Sequence, residues 1–513
     1  MVIAKAAKKN VNMKNEYRYI GSQQYSRDVQ DIMALFNAWP ATEATGEDRF
    51  LVTIEGIDSQ LVTQIDFHNA CGEKIVKKQY SSITYAGNDA QPTVKQVLRL
   101  DLLNMMRQIT SHDPGPWGIL RGVRPTKIVH RMLDQGQPVE QIIHSFIHHY
   151  GVSSEKARLV TEIAVRQRPL LADPEGSGRN VSVYIGIPFC PTRCLYCSFP
   201  GYTLPGKQSQ VEAFLNALYI DMTSALASIR EYGLTVQSVY VGGGTPTSLS
   251  EADFAKVLEK TSSYFVGRHT REFTVEAGRP DSVTAAKIAA MGRYGVNRVS
   301  VNPQTMQQKT LDTIERKHSV NDIITVFGQF RQARIETINM DVIAGLPGET
   351  EQDMIDTMGK IASLEPDNLT VHTLALKKGS RLKASLSEHR LPNEETTGAM
   401  VGIAASCARQ LGMEPYYLYR QKYMTGNLEN IGYSLAGKEC LYNMQIMEER
   451  QTVIGIGPGA GTKAVNCHSF DLKKCYNAKD VLAYMRNLPV YLKERQLLLD
   501  NLFVAGKEEI ITC

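Results

Sequence analysis

Long apolar runs are missing from this 513-residue chain. No segment reaches the roughly 20 residues that a membrane-spanning helix needs, and the first residues lack the apolar stretch of a secretory signal. The expected location is therefore cytoplasmic. Charge of one sign is also scarce. The formal net charge is +4, and basic residues gather at the start only as Lys5, Lys8 and Lys9. That balance gives no case for a nucleic-acid partner. Cysteine pairing has little to work with either. Cys71, Cys407, Cys440, Cys467, Cys475 and Cys513 are scattered and read as buried or inert thiols, so a disulfide scaffold is excluded in a chain of this size. The hydrophobic fraction of 43% and charged fraction of 21% are those of an ordinary globular protein, long enough for more than one domain.

Three cysteines are not scattered. A buried-strand pattern over 181–187 runs straight into a loop in which Cys190, Cys194 and Cys197 are spaced C-x3-C-x2-C. Thiolates packed this closely suit a metal centre better than disulfides. Structural zinc favours C-x2-C pairs with a fourth ligand nearby, yet no Cys or His follows Cys197 until His269. A [4Fe–4S] cluster usually takes four thiolates; three would leave one iron open to a small molecule. A zinc site, or three unrelated buried cysteines, is the competing reading.

Strand-like and helix-like segments then alternate. Strands are expected at 181–187, 238–241, 272–277, 298–301, 337–343 and 368–373, with helices over 211–232, 251–265, 282–294, 307–334 and 350–364. Repeated βα units predict a parallel sheet with helices outside and ligands at the carboxyl ends of the strands. Those ends carry unusual residues. Strand two ends in Gly242-Gly-Gly-Thr-Pro246, where glycines let backbone N–H groups approach a carboxylate. Strand three ends at Glu276, as a ligand acceptor or as a helix-capping acid. Strand four leads into Asn302-Pro-Gln304, with Arg316 beyond. Asp341 lies inside apolar strand five, where an unpaired carboxylate is costly; Arg316 is a candidate salt-bridge partner.

The cysteine loop, with Tyr196 just before the last cysteine, resembles the motif of the radical S-adenosylmethionine (SAM) superfamily. Together with Gly242-Gly-Gly-Thr-Pro246, Gln304 and Asp341-Val-Ile-Ala-Gly-Leu-Pro-Gly-Glu-Thr350, it resembles the oxygen-independent coproporphyrinogen III oxidase group, which comprises HemN, the HemW haem chaperones and HemZ proteins. The likeness spans about residues 180–465. The long N-terminal extension and Pro116-Trp-Gly-Ile-Leu-Arg-Gly-Val-Arg-Pro-Thr-Lys127 resemble the HemZ branch most. This resemblance implies an α/β fold: a partial (β/α)6 radical SAM barrel with an N-terminal α+β extension and a C-terminal α+β region. It implies a [4Fe–4S] cluster on Cys190, Cys194 and Cys197, with SAM on the open iron, and a second SAM molecule. Tyr184, Gly243 and Glu276 would contact the first SAM. Tyr196, Gly244, Thr245, Gln304, Arg316, Asp341 and Ala375 would contact the second. The glycine-rich segment 454–462 would complete the first site, although Gly461 stands where HemN has a branched apolar residue. The implied reaction is oxidative decarboxylation of coproporphyrinogen III to protoporphyrinogen IX, fed by a donor such as flavodoxin or ferredoxin. No catalytic side chain is assigned beyond the cluster and SAM. The alternative is a HemW-like haem chaperone without decarboxylase activity. At Phe199 the chain departs from HemN, which has a cysteine there, and reads as HemW does.

These signals divide the chain into 1–175, 176–384 and 385–513. The first part reads as a strand and amphipathic helix over 16–40, paired strands over 50–57 and 61–67, a further strand over 73–85 and a helix over 93–111. A Pro/Gly-rich turn and helices lead to a linker at 172–180. Arg121, Arg124 and Lys127 are either an anion site or a solvated basic loop. In the last part, 394–411 is helical, and Tyr416, Tyr417, Tyr419, Tyr423 and Tyr433 either line a macrocycle pocket or fill core. Lys377, Lys378, Arg381 and Lys383 are candidate partners for propionates, or a solvated helix end. His372 is read as a core histidine rather than a haem ligand, and 480–502 as a structural helical stretch.

Overall fold

The computed structural model describes residues 15–40, 49–57, 60–69, 72–82, 93–121, 124–171, 178–198, 201–377, 379–421 and 424–504. Lys5, Lys8, Lys9, Cys71, Phe199, Lys378, Tyr423, Cys513 and linker residues 172–177 lie outside them. The chain divides into two units, one of residues 1–125 and 131–161, the other of 126–130 and 162–513. Among the described residues no helix is long and apolar enough to cross a membrane.

In the first unit, strict alternation in Phe50, Val52 and Ile54 gives a strand with one buried face. This is β3 (Arg49–Ile57), and it pairs antiparallel with β4 (Gln60–His68), which pairs antiparallel with β5 (Lys74–Ser82). β1 (Asn15–Ile20) and β2 (Ala38–Pro40) extend the sheet in the order β2-β1-β3-β4-β5. Two helices pack on it: α1 (Ser26–Met33) through Val29, Ile32 and Met33, and α2 (Val94–Thr110) through Leu98, Leu102 and Met106. A capping box of Thr93 and Gln96 starts α2. The helices α3 (Pro125–Asp134), α4 (Val139–His148) and α5 (Ser154–Leu171) follow.

The second unit is built on one eleven-stranded sheet. Its centre is the expected parallel run, β6 (Asn180–Ile187), β9 (Thr235–Gly243), β10 (Glu272–Glu276), β11 (Arg298–Gln304), β12 (Thr337–Ala344) and β13 (Asn368–Thr373), each paired in parallel with the next. Near-continuous burial along β6 and β12 marks strands covered on both faces. The covering helices are α6 (Gln208–Glu231), α7 (Glu251–Phe265), α8 (Ala285–Arg293), α9 (Gln308–Thr313), α10 (Val320–Gln332) and α11 (Glu351–Ala362). A separate two-stranded pairing joins β7 (Phe189–Cys190) to β8 (Tyr202–Thr203).

The C-terminal residues extend both edges of this same sheet. Past β13 lie β15 (Asn430–Ser434) and β14 (Glu414–Tyr419), both antiparallel. Beside β6 lies β16 (Thr452–Ile456), in parallel, followed by antiparallel β17 (Gly461–Val465) and β18 (Leu472–Tyr476). The helices α12 (Arg381–Ala384), α13 (Glu394–Gln410) and α14 (Leu441–Glu448) lie between these strands in sequence. The stretch expected to be helical over 480–502 is two helices, α15 (Val481–Arg486) and α16 (Leu488–Phe503). Pro489 explains the break: without an N–H it fits the first turn of a new helix but not the interior of an old one.

One buried ion pair ties this half together. Asp221 on α6 meets Arg495 on α16 at 2.5 Å, both fully or nearly fully buried. The same carboxylate accepts from the Tyr484 hydroxyl at 2.8 Å and the Gly457 amide at 3.0 Å. Such a pair is strongly felt when only one member is removed. Arg495→Met is expected to destabilise the protein by about 3–5 kcal/mol, read from urea unfolding. The double change Asp221→Leu with Arg495→Met should recover much of that loss.

Candidate functional site

A cavity of about 440 Å³ opens at the carboxyl ends of the parallel strands. The cysteines and the individually named SAM contacts line it: Tyr184, Cys190, Cys194, Tyr196 and Cys197 from β6 and its loop; Gly243, Gly244 and Thr245 after β9; then Glu276, Gln304, Arg316, Asp341 and Ala375. Parallel pairing alone brings these distant residues to one edge.

The cysteine loop is fixed by its backbone. Leu204 donates to the Cys190 carbonyl, Leu195 to that of Ile314, and Leu382 to that of Leu195. Cys190, Cys194 and Cys197 are all free of disulfides. The Thr245 hydroxyl donates to Cys190 Sγ at 3.5 Å, and Arg279 Nη1 donates to Cys194 Sγ at 3.6 Å. Burial pushes the Cys190 thiol up, and the neighbouring Cys197 and Cys194 push it further. Cys190 and Cys194, each with a donor on its sulfur, share the cavity wall with Cys197. Three thiolates in this spacing suit a cluster, in which each meets a different iron, better than one zinc ion.

Arg279 was not singled out from the sequence, although it directly follows the end of strand three. It is buried, and Asp281 grips it from two sides at 3.0 and 2.9 Å while Thr192 accepts two more of its hydrogens. Burial alone would raise the pKa of Asp281; the His318 ring 3.7 Å away and the hydrogen bonds from Arg279 hold it well below the usual carboxylate range instead.

Glu276 does not cap a helix. It accepts from the Tyr240 hydroxyl at 2.6 Å and from the Gly243 amide at 3.0 Å. Burial pushes its pKa up to about 7 against those two bonds. A side chain at Gly242 would lie 2.7 Å from this carboxylate, which is why glycine stands there. Tyr240 stacks on Tyr442 with ring centroids 4.4 Å apart, and Tyr184 stacks beside both. Glu272 accepts from the Leu441 and Tyr442 amides at 2.7 and 3.2 Å, which sets the start of α14, and with it Asn443 and Met447, against the cavity.

Gln304 adopts a left-handed backbone, φ 69°, at the irregular end of β11, and its buried Oε1 has no hydrogen-bond partner. A strained residue aiming an unsatisfied acceptor at a cavity is the mark of a ligand position. The suggested salt bridge between Arg316 and Asp341 does not form. Arg316 donates to the Tyr196 hydroxyl at 3.1 Å and to the carbonyls of Gly278 and Asn302, the latter at 2.7 Å. Asp341 is met by Asn339 at 2.7 Å and His372 at 3.5 Å. Burial would raise its pKa, but His372 and Asn339 hold it below the ordinary value.

Other expectations are corrected. His372 is on the cavity wall, where strand alternation turns it inward. Of the tyrosines, Tyr417 and Tyr419 line the cavity while Tyr416 and Tyr433 fill core. Of the cations, Lys377 lines it, whereas Arg381 pairs with Glu315 at 2.6 Å. The glycine-rich segment 454–462 does not line it. A side chain at Gly457 would strike the Gly186 carbonyl at 2.5 Å, and one at Gly461 would strike the Tyr476 ring at 2.6 Å, so these glycines serve close strand packing. Arg121 donates to the Asp31 carbonyl within the first unit, and Lys127 pairs with Glu449 at 2.6 Å within the second, so each basic side chain already has a protein partner.

Comparison with known proteins agrees with this geometry. Residues 184–361 match the Radical SAM superfamily. The chain is 35% identical, over 94% of its length and 97% of the relative's, to the oxygen-independent coproporphyrinogen-III oxidase-like protein HemZ of Bacillus subtilis (strain 168). It is 32% identical, over 56% of its length and 73% of the relative's, to the heme chaperone HemW of the same organism. Among solved structures, coproporphyrinogen III oxidase (HemN) from Escherichia coli superposes with a TM-score of 0.50 at 19% identity, covering 64% of this chain and 73% of that one, which establishes likeness of fold.

Glu276 generates a pH dependence. Its folded pKa of about 7 lies above the ordinary 4.5, so its contribution to stability is complete below about pH 4.5 and is lost as pH rises through about 7. Glu349, also pushed up to about 7 by burial, acts in the same window. Glu276→Gln is expected to reduce the loss of thermal stability between about pH 5 and 7.5. Melting curves with an unchanged pH slope would contradict the assignment.

Proposed function

The chain belongs to the HemZ family of radical SAM proteins, and on that premise we propose that it converts coproporphyrinogen III to protoporphyrinogen IX. The observation that carries this reading is the composition of one cavity. Three cysteines, the Glu276 carboxylate and the unsatisfied Gln304 acceptor share it with Tyr417 and Tyr419 from β14. One cavity therefore combines cofactor-type ligands with aromatic side chains suited to a flat macrocycle.

The family uses a [4Fe–4S] cluster and SAM, and the residues present fit both. Cys190, Cys194 and Cys197 would hold the cluster. Glu276 and the backbone of Gly243, Gly244 and Thr245 would hold the polar end of SAM, with Tyr196, Gln304, Arg316, Asp341 and Ala375 on a second molecule. When bound, the cluster and SAM supply abstraction of a hydrogen atom from the β-carbon of a propionate. The propionate radical would then lose CO₂ and pass one electron to an external one-electron acceptor, becoming a vinyl group. The protein's own part is binding, orientation and exclusion of water. Thr245 and Arg279 donate to the sulfurs of Cys190 and Cys194, which would tune the reduction potential of a cluster held there. Lys377, beside Cys197 on the cavity wall, is placed to meet a substrate carboxylate. A one-electron donor such as flavodoxin or ferredoxin would feed the cluster.

The second reading is a haem carrier, favoured by the HemW likeness and by the histidine on the cavity wall. Anaerobic incubation of reconstituted protein with reductant, SAM and coproporphyrinogen III separates the two. The expected result is two successive losses of CO₂ plus two hydrogens by mass spectrometry, with 5′-deoxyadenosine released. Tight stoichiometric haem binding without turnover would favour the carrier. Cys194→Ala is expected to abolish the iron–sulfur absorbance after reconstitution; an intact spectrum would remove the cluster assignment.

A further inference from the structure

The cavity wall also carries a chain of side chains from β12, β13 and β14. The Tyr419 hydroxyl lies 3.1 Å from His372 Nδ1. His372 Nε2 lies 3.5 Å from Asp341 Oδ2, and Asn339 donates to Asp341 Oδ1 at 2.7 Å. Tyr419, His372, Asn339 and Asp341 all line the cavity. His372 is thus engaged at both ring nitrogens.

The chemistry of the partners orders the protons. An ionised carboxylate only accepts, so the imidazole nitrogen facing Asp341 must carry the hydrogen. In a neutral imidazole the other nitrogen is then an acceptor, for which the Tyr419 hydroxyl is a donor. Tyr419 sets the tautomer, and the tautomer presents an N–H to Asp341. Asn339 is oriented in turn: the Thr370 hydroxyl donates to its Oδ1 at 3.1 Å, and its amide donates one hydrogen to Ser300 Oγ at 2.8 Å and the other to Asp341. The lowered pKa of Asp341 agrees with this arrangement. A carboxylate held in this way has lone pairs left for the cavity and no hydrogen to offer.

We propose that His372 is a positioning residue that fixes Asp341 as an ionised, acceptor-only carboxylate, so that this end of the cavity takes the cationic and hydroxyl-bearing parts of SAM and refuses a substrate carboxylate. The proposal rests on the SAM-binding reading above. It also orients the substrate: propionates are turned away from β12 and β13 and toward the end where Lys377 lies.

The test is binding, not turnover. Cluster-reconstituted protein is dialysed anaerobically, without substrate, against labelled SAM and separately against S-adenosylhomocysteine, which lacks the sulfonium charge. His372→Phe keeps a flat ring but offers no donor, and should weaken SAM binding at one site by at least about tenfold, the range expected for a lost hydrogen bond to a charged group. It should also narrow the preference for SAM over S-adenosylhomocysteine. His372→Gln, whose amide can donate to Asp341, should recover affinity to within a few-fold of the wild type, and Tyr419→Phe should fall between the two. Cluster absorbance should be the same in all variants. If His372→Phe binds both ligands as the wild type does, or if His372→Gln loses as much as His372→Phe, the proposal is overturned while SAM binding stands. If the wild type binds no SAM, both fall together.

Discussion

Parallel pairing of six strands is the constraint on which everything else depends. A parallel sheet puts every strand's carboxyl end at the same edge. Residues as far apart in sequence as Tyr184 and Ala375 therefore line one cavity. The register is specified by apolar runs that are buried on both faces. The polar residues that interrupt those runs at the strand ends are the ones that face the cavity. The fold tolerates Glu276, Gln304 and Asp341 in such places because each has either a dedicated partner or a ligand-facing acceptor.

Two of these groups show how the same side-chain chemistry is driven apart by surroundings. Glu276 and Asp341 are both carboxylates on the cavity wall. Glu276 receives one hydroxyl and one amide, not enough to offset burial, and the charge on Asp341 pushes its pKa further up. Asp341 is met by an imidazole and an amide, which outweigh burial. Near neutral pH one end of the cavity is a fixed charge and the other is poised to change. A cation bound between them would draw Glu276 toward its ionised form, so ligand binding and proton release are linked.

Much of this was legible in the sequence, for reasons that can be named. Local patterns carried it: the cysteine spacing, the glycine run after β9, and the apolar period of the strands. The helix over 251–265 and the strand over 368–373 were expected at the bounds they adopt. What was not legible depends on partners brought by tertiary structure. His372 reads as core until β14 places a tyrosine beside it. Arg279 is one more arginine until the fold lays it against Cys194. Arg316 and Asp341 look complementary in sequence, but backbone carbonyls and Tyr196 engage the first while a histidine engages the second. The glycines at 457 and 461 resemble a ligand loop because close backbone approach and ligand binding impose the same steric demand; only the neighbours tell them apart.

The strand that delivers the cysteines sits between β9 and β16. Its partner on one side follows soon in sequence, and its partner on the other is near the end of the chain. During synthesis from the N-terminus, β6 therefore remains an open sheet edge until residues 452–456 emerge. Its backbone donors and acceptors stay available to any passing strand meanwhile. The metal-binding loop is thus covalently early but conformationally late. Any fragment cut to the βα repeat alone would carry the motif on an unprotected edge, and nascent chains would need shielding until the last strands close it.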